Sequence, residues 1–407
     1  MSAATAGERP RAWMVSRSCR MVSEVWLQRQ VEGMRRFTPT WVYWNDERPQ
    51  DAGLATWAQR QVPFDAAIGG GANRWVHRLR CAGHGNWYGA SAGELAWFRA
   101  KLREDRPGVV LAQYGFVALR VLPACLAEGV PVVAHFHGHD ISRMLSNGWY
   151  TSSLRRMADR LAMSVIVGTH QRQRLERLGV PAEKIRLVPC GVDTAKFDAP
   201  ARSADGPCVF LAVGRLVEKK RADLTVRAFA EATLADAKLV VIGDGPMMEA
   251  CQAVVAECGA EGRVELLGKV SNEEVRGWME RASVFVQHSV TSADGDQEGW
   301  PVAIAEAMAS GLAVVSTRHP GVIDQVEEGV HGLLVDEGDH AAMGRAMAEL
   351  AGDGARRVAM GAAGRAKMAE GFDVRMQVGR LEDAMAEAAG LNGGAAGAAT
   401  SAKGVAA

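Results

Sequence analysis

Short apolar, β-branched runs alternate with amphipathic stretches along almost the whole chain. The runs are "AWMVSRS", "TWVYW", "GVVLAQYG", "PVVAHFHG", "SVIVGT" and "IRLVPC" in the first half, and "CVFLAVGR", "KLVVIGDG", "VELLGK", "SVFVQHS", "LAVVSTR" and "GLLVD" in the second. Continuous apolar strands separated by helices are typical of parallel sheets that are covered on both faces. The pattern therefore predicts an α/β protein with two Rossmann-like parallel-sheet domains facing a central cleft.

Residues 191–207 interrupt this pattern with Gly, Pro, Asp and Ser, which marks a domain boundary. We expect a first domain over residues 1–195 and a second over 196–371. A helical pattern follows over 372–388. Residues 389–407 are of low complexity and lack core-forming side chains, so we expect a disordered tail.

Composition and charge narrow the functional class. No apolar run reaches about 18 residues, and the N-terminus lacks an apolar signal core, so we expect a cytoplasmic protein without a membrane span. Net charge is zero, but residues 1–200 hold 27 Lys and Arg against 17 Asp and Glu, whereas residues 201–407 hold 20 against 30. A basic first half suits anionic lipid headgroups or a phosphate-bearing acceptor. Ordinary variation in surface charge between two domains is the alternative.

The stretch "DQEGWPVAIAEAMASG" keeps two carboxylates, Glu298 and Glu306, in an apolar setting. Pro301 fits the start of a helix and Gly311 its end. The two carboxylates would then lie roughly 12 Å apart at about 1.5 Å per helical residue. Paired glycosidase carboxylates stand about 5 to 9.5 Å apart, so a hydrolase fits poorly. Two ends of one elongated ligand fit better.

Cations and a helix start accompany these carboxylates. "VGRLVEKKR" places Arg215 and Lys220 just after a strand, where they are suited to clamp a pyrophosphate; a solvated basic turn is the alternative. The helix that begins near Trp300 offers a second anion site through its free N–H groups. Glu298 is then placed to accept hydrogen bonds from sugar hydroxyls, and Glu306 from a ribose.

The segment "AHFHGHD" groups three histidines at the end of a strand. His135, His137 and His139 would share one strand face if the strand continued, which is a pattern for a metal cluster. Gly138 and the "DIS" beginning at Asp140 instead predict that the strand ends there, leaving one histidine projecting into the cleft. A purely structural histidine is the third interpretation.

Three further motifs do not fit the chemistry that they resemble. "VVIGDGPMMEA" has Met248 at the place of the third glycine of a dinucleotide-binding turn, which disfavours an NAD-dependent dehydrogenase. "IGGGANRW" lacks the strand and helix that such a loop requires. "DGD", residues 294–296, resembles a metal-binding Asp-x-Asp, but we interpret it as a polar loop.

The combined motifs resemble the retaining glycosyltransferases of family 4, also called group 1, which have the two-domain GT-B fold. The likeness is strongest over residues 209–339, in "VGRLVEKK", "VIGDGP", "LLGKVSNEEV" and "EGWPVAIAEAMASGLAVVSTRHPGVIDQVEEGVHGLLVDEGD". Within the family, "AHFHGHDIS" and "VQHSVTSADGDQEGWP" look like enzymes of colanic acid and related exopolysaccharide assembly. This fold implies that the helix over 372–388 crosses back to the first domain.

The resemblance implies a role for each site residue. The catalytic set is His137, Arg215, Lys220 and Glu298, and the nucleotide-sugar-binding set is Gly214, Arg215, Lys220, Glu298, Gly299, Trp300, Pro301 and Glu306. The first domain would take the acceptor and the second the nucleotide sugar. The resemblance also implies front-side attack with retention of configuration, no metal ion and no cofactor besides the nucleotide-sugar co-substrate.

The leading hypothesis is a hexosyltransferase that moves a sugar from a UDP- or GDP-sugar to a saccharide or polyprenyl-linked acceptor of a surface polysaccharide. It would work in the cytoplasm, peripherally on the inner face of the membrane, and bind no nucleic acid. A transferase for a soluble small acceptor and a non-catalytic nucleotide-sugar-binding protein are the alternatives. Two positions depart from the family pattern: "SRSCRMVSEVW" has no glycine where many members have a glycine-rich loop, and Arg221 replaces a glycine.

Overall fold

The computed structural model describes residues 9–19, 25–46, 58–62, 90–199, 202–232, 234 and 236–391. In this part of the chain the strands form two sheets in which every pairing is parallel. The first has the order β3-β2-β1-β4-β5-β6-β7 and contains β1 (Arg11–Cys19), β2 (Thr38–Asp46), β3 (Ala58–Gln61), β4 (Val109–Gln113), β5 (Val132–Phe136), β6 (Met163–Ile166) and β7 (Ile185–Leu187). The second has the order β10-β9-β8-β11-β12-β13 and contains β8 (Val209–Val213), β9 (Lys238–Ile242), β10 (Val264–Gly268), β11 (Val284–Gln287), β12 (Ala313–Thr317) and β13 (Gly332–Val335).

Helices connect the strands and cover the sheets. Those of the first sheet are α1 (Val25–Gly33), α2 (Ala92–Asp105), α3 (Gly115–Ala127), α4 (Gly148–Met157) and α5 (Arg172–Arg177). Those that follow are α6 (Ala222–Glu231), α7 (Met248–Glu257), α8 (Asn272–Arg281), α9 (Val302–Ala309), α10 (Pro320–Ile323), α11 (His340–Gly352), α12 (Gly354–Gly371) and α13 (Val374–Ala388). The predicted fold class, two Rossmann-like domains with parallel sheets, is confirmed.

Local sequence explains why these elements form where they do. Every residue of β4, β5 and β12 is buried, because helices cover both faces of each sheet. Helix α2 begins with a capping box, in which Ser91 and Glu94 each accept from the other's backbone N–H. Strand β3, "AQRQ", was not predicted, because an edge strand of polar residues has no apolar signature.

The chain passes between the two domains at two neighbouring segments. Val192 donates its backbone N–H to Phe372 at 2.9 Å, and Val374 donates to Val192 at 2.8 Å. These two segments pair like short parallel strands and form the connection between the domains. The predicted boundary region lies between β7 and β8, and residues 392–407 of the predicted tail lie outside the described residues.

Helix α13 belongs to the second crossing and packs on the first sheet. Its apolar residues Val378, Leu381 and Met385 are buried in a cluster with Met14, Trp41 and other first-sheet residues. The carboxylate of Glu382 accepts from the backbone N–H groups of Arg35 and Arg36, at 2.9 and 2.7 Å. No helix in the described residues is both long and apolar enough to cross a membrane.

Candidate active site

The loops after β5 and β6 in the first domain meet the segment before α9 in the second. The contact is between backbones. A Cβ atom at Gly299 would lie 1.8 Å from the carbonyl oxygen of His137, and one at Gly138 would lie 2.8 Å from the Gly299 nitrogen. Gly138 also has a φ of +142°, which side-chain-bearing residues rarely adopt. The domains are therefore closed on each other here, and glycine is required on both sides.

Lys220 and Glu298 form an ion pair within the second domain. Their charged atoms are 3.0 Å apart, and Glu298 is only 8% exposed. Burial alone would raise the pKa of Glu298, but the nearby charges of Lys220 and Lys219 outweigh it and lower the pKa to about 2. Lys220 also donates to Gln287 Oε1 at 3.1 Å. Glu298 is therefore ionised, and it can accept hydrogen bonds but cannot act as a proton donor near neutral pH.

The backbone of Glu298 is held by a buried histidine. Glu298 donates its N–H to His319 Nε2 at 3.1 Å, so His319 must carry its proton on Nδ1. That proton is donated to Glu337 at 2.6 Å. His319 is fully buried, and it fixes the loop from which the Glu298 side chain projects. Sequence reasoning missed His319 and Glu337.

Arg215 lies at the carboxyl end of β8 with an exposed side chain. Within the described residues, no hydrogen bond or ion pair is recorded for its guanidinium. Gly214 lies against the Lys220 side chain, since a Cβ atom at Gly214 would be 3.1 Å from Lys220 Cε. These residues and Gln287 line a small pocket of about 20 Å³, room for about one water molecule. Arg215 is thus free to contact a ligand at this edge.

Glu306 pairs with a residue that sequence reasoning missed. Arg29, in α1 of the first domain, places Nη2 3.1 Å from Glu306 Oε1 across the cleft. Burial raises the pKa of Glu306, and the Arg29 charge only partly offsets this. The two carboxylates of the motif therefore have separate partners: Glu298 is paired inside its own domain, and Glu306 is paired to the other domain.

His137 lies in a neutral, hydrogen-bonded network. Its Nε2 donates to Gln113 Oε1 at 2.9 Å, and Gln113 in turn donates to Gln30 at 2.8 Å. The ring packs against Trp26 and Tyr114, with ring centroids 4.0 and 4.9 Å apart. Burial lowers the pKa of His137 well below its usual value, with a smaller effect from the neighbouring His135. The imidazole is therefore uncharged at neutral pH.

Asp140 ties the two first-domain loops of the cleft together. Its buried carboxylate accepts from the backbone N–H groups of Gly115, His137 and Gly138, at 2.8, 3.0 and 3.2 Å. His135 is fully buried and its Nε2 lies 3.3 Å from the Val188 carbonyl oxygen. Among the described residues no three His, Cys, Asp or Glu side chains are grouped so as to hold a metal ion. The ring of His135 in the core lies 4.2 Å from the ring of His137 at the cleft, measured between centroids, whereas His139 lies nearer the surface.

The "DGD" segment joins the domains. Asp296 lies between Lys219 of its own domain, at 3.2 Å, and His139 of the first domain, at 3.5 Å. Asp294 pairs with Arg143 of the first domain at 2.8 Å. Although partial burial opposes ionisation, the His139 contact and the Lys219 charge lower the pKa of Asp296 to about 2. The polar loop of the sequence prediction is an ionic contact between domains.

Pro301 and Trp300, which belong to the predicted binding set, also have structural roles. Pro301 is the residue before the first turn of α9. The Trp300 side chain is buried in the first-domain core cluster and stacks on Phe372, with ring centroids 5.1 Å apart. The sugar contact that is predicted for Trp300 and Pro301 involves only their backbone atoms. Residues 20–24, in the loop without glycine, and the glycines at 69–71 lie outside the described residues.

Arg221, which replaces the family's glycine, has a φ of +35°. Left-handed backbone of this kind is the conformation that glycine adopts most readily. The side chain compensates locally by pairing with Asp223 at 2.8 Å. The substitution therefore leaves the glycine-type turn after Lys220 intact.

Comparisons with known proteins find matches for both domains of the chain. Residues 193–367 match the family model "Glycosyl transferases group 1", and residues 58–196 match "Glycosyltransferase Family 4". The chain is 30% identical over 307 residues to the amylovoran biosynthesis glycosyltransferase AmsK of Erwinia amylovora, covering 73% of this chain and 75% of AmsK.

A second relative and a solved structure extend the comparison. The chain is 34% identical over 216 residues to the putative colanic acid biosynthesis glycosyltransferase WcaL of Escherichia coli K12, covering 52% of this chain and 53% of WcaL. The crystal structure of Anabaena Alr3699/HepE in complex with UDP superposes with a TM-score of 0.72 at 15% identity, covering 92% of this chain and 98% of that one. At that identity the likeness concerns the fold.

Proposed function

This chain belongs to the group 1 glycosyltransferases, and we propose that it moves a sugar from a UDP- or GDP-sugar to a lipid-linked saccharide acceptor in surface polysaccharide biosynthesis. The observation that carries the proposal is the Lys220–Glu298 ion pair beside Arg215, at the edge of the second sheet that faces His137. The names of its relatives, which refer to amylovoran and colanic acid biosynthesis, support the polysaccharide assignment.

The proposed transfer retains the anomeric configuration. The bond between the anomeric carbon and the phosphate oxygen breaks, and the acceptor hydroxyl oxygen bonds to the same face of that carbon. The acceptor proton passes to the departing phosphate oxygen. Lys220 and Arg215 stabilise the negative charge that develops on the diphosphate, together with the free N–H groups at the start of α9.

Glu298 and His137 then have roles that their chemistry allows. The ionised Glu298 accepts hydrogen bonds from sugar hydroxyls and orients the ring. Neutral His137 contacts the sugar from the first domain without adding charge next to the reacting carbon. Lys220, Arg215 and the start of α9 supply the positive charge that a metal ion would otherwise supply, which is the basis for proposing a metal-independent reaction.

The proposed acceptor is lipid-linked because the first domain is the basic half of the chain. An excess of ten positive charges over residues 1–200 favours contact with anionic headgroups and with the diphosphate of a lipid carrier. We place the enzyme at the cytoplasmic face of the membrane. Binding to anionic vesicles that weakens as salt increases would support this arrangement, whereas no binding at any salt concentration would favour a soluble acceptor.

A ligand screen tests the donor assignment. The purified chain would be titrated by calorimetry and thermal shift with UDP-, GDP-, ADP- and dTDP-sugars in the presence of EDTA. The matched variants are Lys220→Met and Lys238→Met, since Lys238 is an exposed lysine at the opposite end of the same sheet. We expect one sugar nucleotide to bind the wild type and Lys238→Met, and Lys220→Met to bind it far more weakly.

Two results would contradict the proposal. If Lys220→Met binds the donor as the wild type does, the charged edge of the second sheet is not the diphosphate site. If a sugar nucleotide binds but radiolabelled sugar is never transferred to a lipid-linked or soluble saccharide, a non-catalytic binding protein becomes the better interpretation.

A further inference from the structure

Arg29 carries hydrogen-bond donors that the protein does not use. Its side chain is 13% exposed, and only Nη2 has a partner, which is Glu306. Nε and Nη1 are buried and have no hydrogen-bond partner among the described residues. A guanidinium has five N–H groups, three of them on these two atoms. Since buried donors are nearly always paired in folded proteins, this site is incomplete without another acceptor.

The position of Arg29 places these donors at the cleft. Glu306 lies one to two turns into α9, the helix that follows the Glu298 loop. The neighbouring residue on α1, Gln30, accepts from Gln113 in the network that holds His137. Arg29 thus belongs to the first domain, next in sequence to the network that holds His137, and its side chain reaches a second-domain carboxylate across the cleft.

The surroundings of Arg29 leave its positive charge only partly balanced. Glu306 contacts the guanidinium through one oxygen at 3.1 Å. Cys190 is close enough for the Arg29 charge to act on its thiol, but burial dominates and raises the pKa of that thiol to about 12, so Cys190 is neutral. The buried Trp300 Nε1 is another donor without a recorded partner in the described residues. Within the described residues, the guanidinium of Arg29 therefore has more donors than acceptors to pair them.

We propose that Arg29 binds a phosphate group of a substrate in the cleft, with Glu306 holding the guanidinium in position. Phosphate oxygens match the planar fork of a guanidinium, and they supply several acceptors at once. The inference rests on the proposed function. The phosphate belongs either to the nucleotide diphosphate of the donor or to the diphosphate of a lipid-linked acceptor.

Calorimetric titration of the full chain distinguishes these sources. The probes are UDP and GDP, the corresponding nucleosides, and farnesyl diphosphate as a soluble prenyl diphosphate. The variants are Arg29→Met, which removes the charge, and Arg29→Lys, which keeps the charge but loses the fork. Arg36→Met is the matched control, because Arg36 is close to α1 in sequence but pairs with Asp383 at the surface. Thermal unfolding verifies that each variant is folded.

We expect Arg29→Met to weaken one diphosphate probe by about 10- to 150-fold, the loss typical of one charged hydrogen bond. Arg29→Lys should lose less, and nucleoside binding should stay within about threefold. A loss confined to UDP or GDP assigns Arg29 to the donor, and a loss confined to farnesyl diphosphate assigns it to the acceptor. Arg36→Met should match the wild type in every titration.

Two outcomes overturn the inference while leaving the proposed function standing. One is that folded Arg29→Met binds both classes of diphosphate as well as the wild type does. The other is that Arg29→Met binds both classes of diphosphate more tightly than the wild type does. Arg29 would then only prevent the ligand from reaching Glu306. If the wild type binds neither a nucleoside diphosphate nor farnesyl diphosphate, the proposed function itself fails, and the role of Arg29 fails with it.

Discussion

The segment around Glu298 in the second domain and the segment around His137 in the first differ in charge. The second-domain side is ionised: Lys220 pairs with Glu298, and the charges of Lys220 and Lys219 lower the pKa of Glu298 to about 2. The first-domain side around His137 is neutral, and side-chain amides and aromatic rings hold the imidazole in place. Both sides follow parallel strands in similar sheets, so the difference arises from loop residues and not from the fold.

This contrast indicates that the two segments contact different parts of the substrates. A charged surface that is already paired can exchange part of its pairing for a diphosphate at little cost in desolvation, because the charges are buried before the ligand arrives. The neutral surface around His137 can accommodate sugar hydroxyls without adding charge at the sugar, and the first domain contributes its positive charge to the cleft through Arg29. Substitutions on the charged side should therefore have larger effects than substitutions on the neutral side.

The largest effect is expected for Lys220→Met. The change removes a cation from the proposed diphosphate site and leaves Glu298 as a buried carboxylate with a weaker partner. Breaking a buried ion pair typically costs about 3 to 5 kcal/mol of folding stability, so we expect the Tm to drop. Loss of a donor to the charge that develops on the diphosphate should lower kcat/KM by about 100- to 1000-fold. Steady-state kinetics and calorimetric unfolding measure both. The double variant Lys220→Met/Glu298→Gln should regain stability but not activity; recovery of both would show that Lys220 serves only to neutralise Glu298.

The next effect is expected for Glu298→Gln. The amide keeps the shape of the side chain but loses the charged acceptor, which costs about 1.5 to 3 kcal/mol, roughly 10- to 150-fold. We expect the loss mainly in kcat, because Glu298 is proposed to orient the sugar while other residues hold the nucleotide. Glu337→Gln, which alters the partner of His319 and not the sugar contact, is the comparison variant. Equal loss in the two variants would mean that loop position, not the carboxylate, matters.

A smaller effect is expected for His137→Ala on the neutral side. A hydrogen bond between uncharged groups contributes about 0.5 to 1.5 kcal/mol, so kcat/KM should fall about 2- to 13-fold. Because the pKa of His137 lies well below its usual 6.5, the ring stays neutral as the pH falls from 8 to 6. The pH dependence of kcat/KM should therefore be the same in the wild type and the variant over this range. If kcat/KM of the wild type changes with pH near 6.5 and this change is absent in His137→Ala, the protonated imidazole of His137 takes part in the reaction.

The smallest effect is expected for Arg221→Gly. Glycine relieves a left-handed backbone that costs about 1 kcal/mol, but the change removes the pairing with Asp223, a contribution of up to about 1 kcal/mol at a partly exposed site. These effects oppose each other, so the free energy of unfolding should change by less than about 1 kcal/mol and the donor KM should stay the same. A large rise in KM would mean that Arg221 itself contacts the diphosphate.

Sequence patterns predict the local parts of this architecture better than its contacts. The helix after Glu298 and the cations after β8 lie within short segments, so the residues of each segment are enough to predict them. The pairing of Arg29 with Glu306 spans 277 residues and two domains, and no local pattern records it. The sequence predicts only a polar loop at residues 294–296, because the partners of this loop, Arg143 and His139, belong to the other domain.

Trp300 also shows what a sequence motif cannot predict. Its place in the motif predicts a contact with substrate, yet its ring stacks on Phe372 at the second interdomain crossing. One residue thus contributes backbone to the proposed site and a side chain to the joint between the domains. A motif in sequence cannot separate these two contributions, because only the folded chain shows the direction in which the side chain points.

The return of α13 to the first sheet has a consequence for how the chain is made. The surface that Val378, Leu381 and Met385 cover remains open until those residues leave the ribosome, about 200 residues after the first sheet has been synthesised. At about 5 to 20 residues per second, this takes roughly 10 to 40 seconds. During synthesis the first domain therefore exposes an apolar surface that its own sequence cannot close.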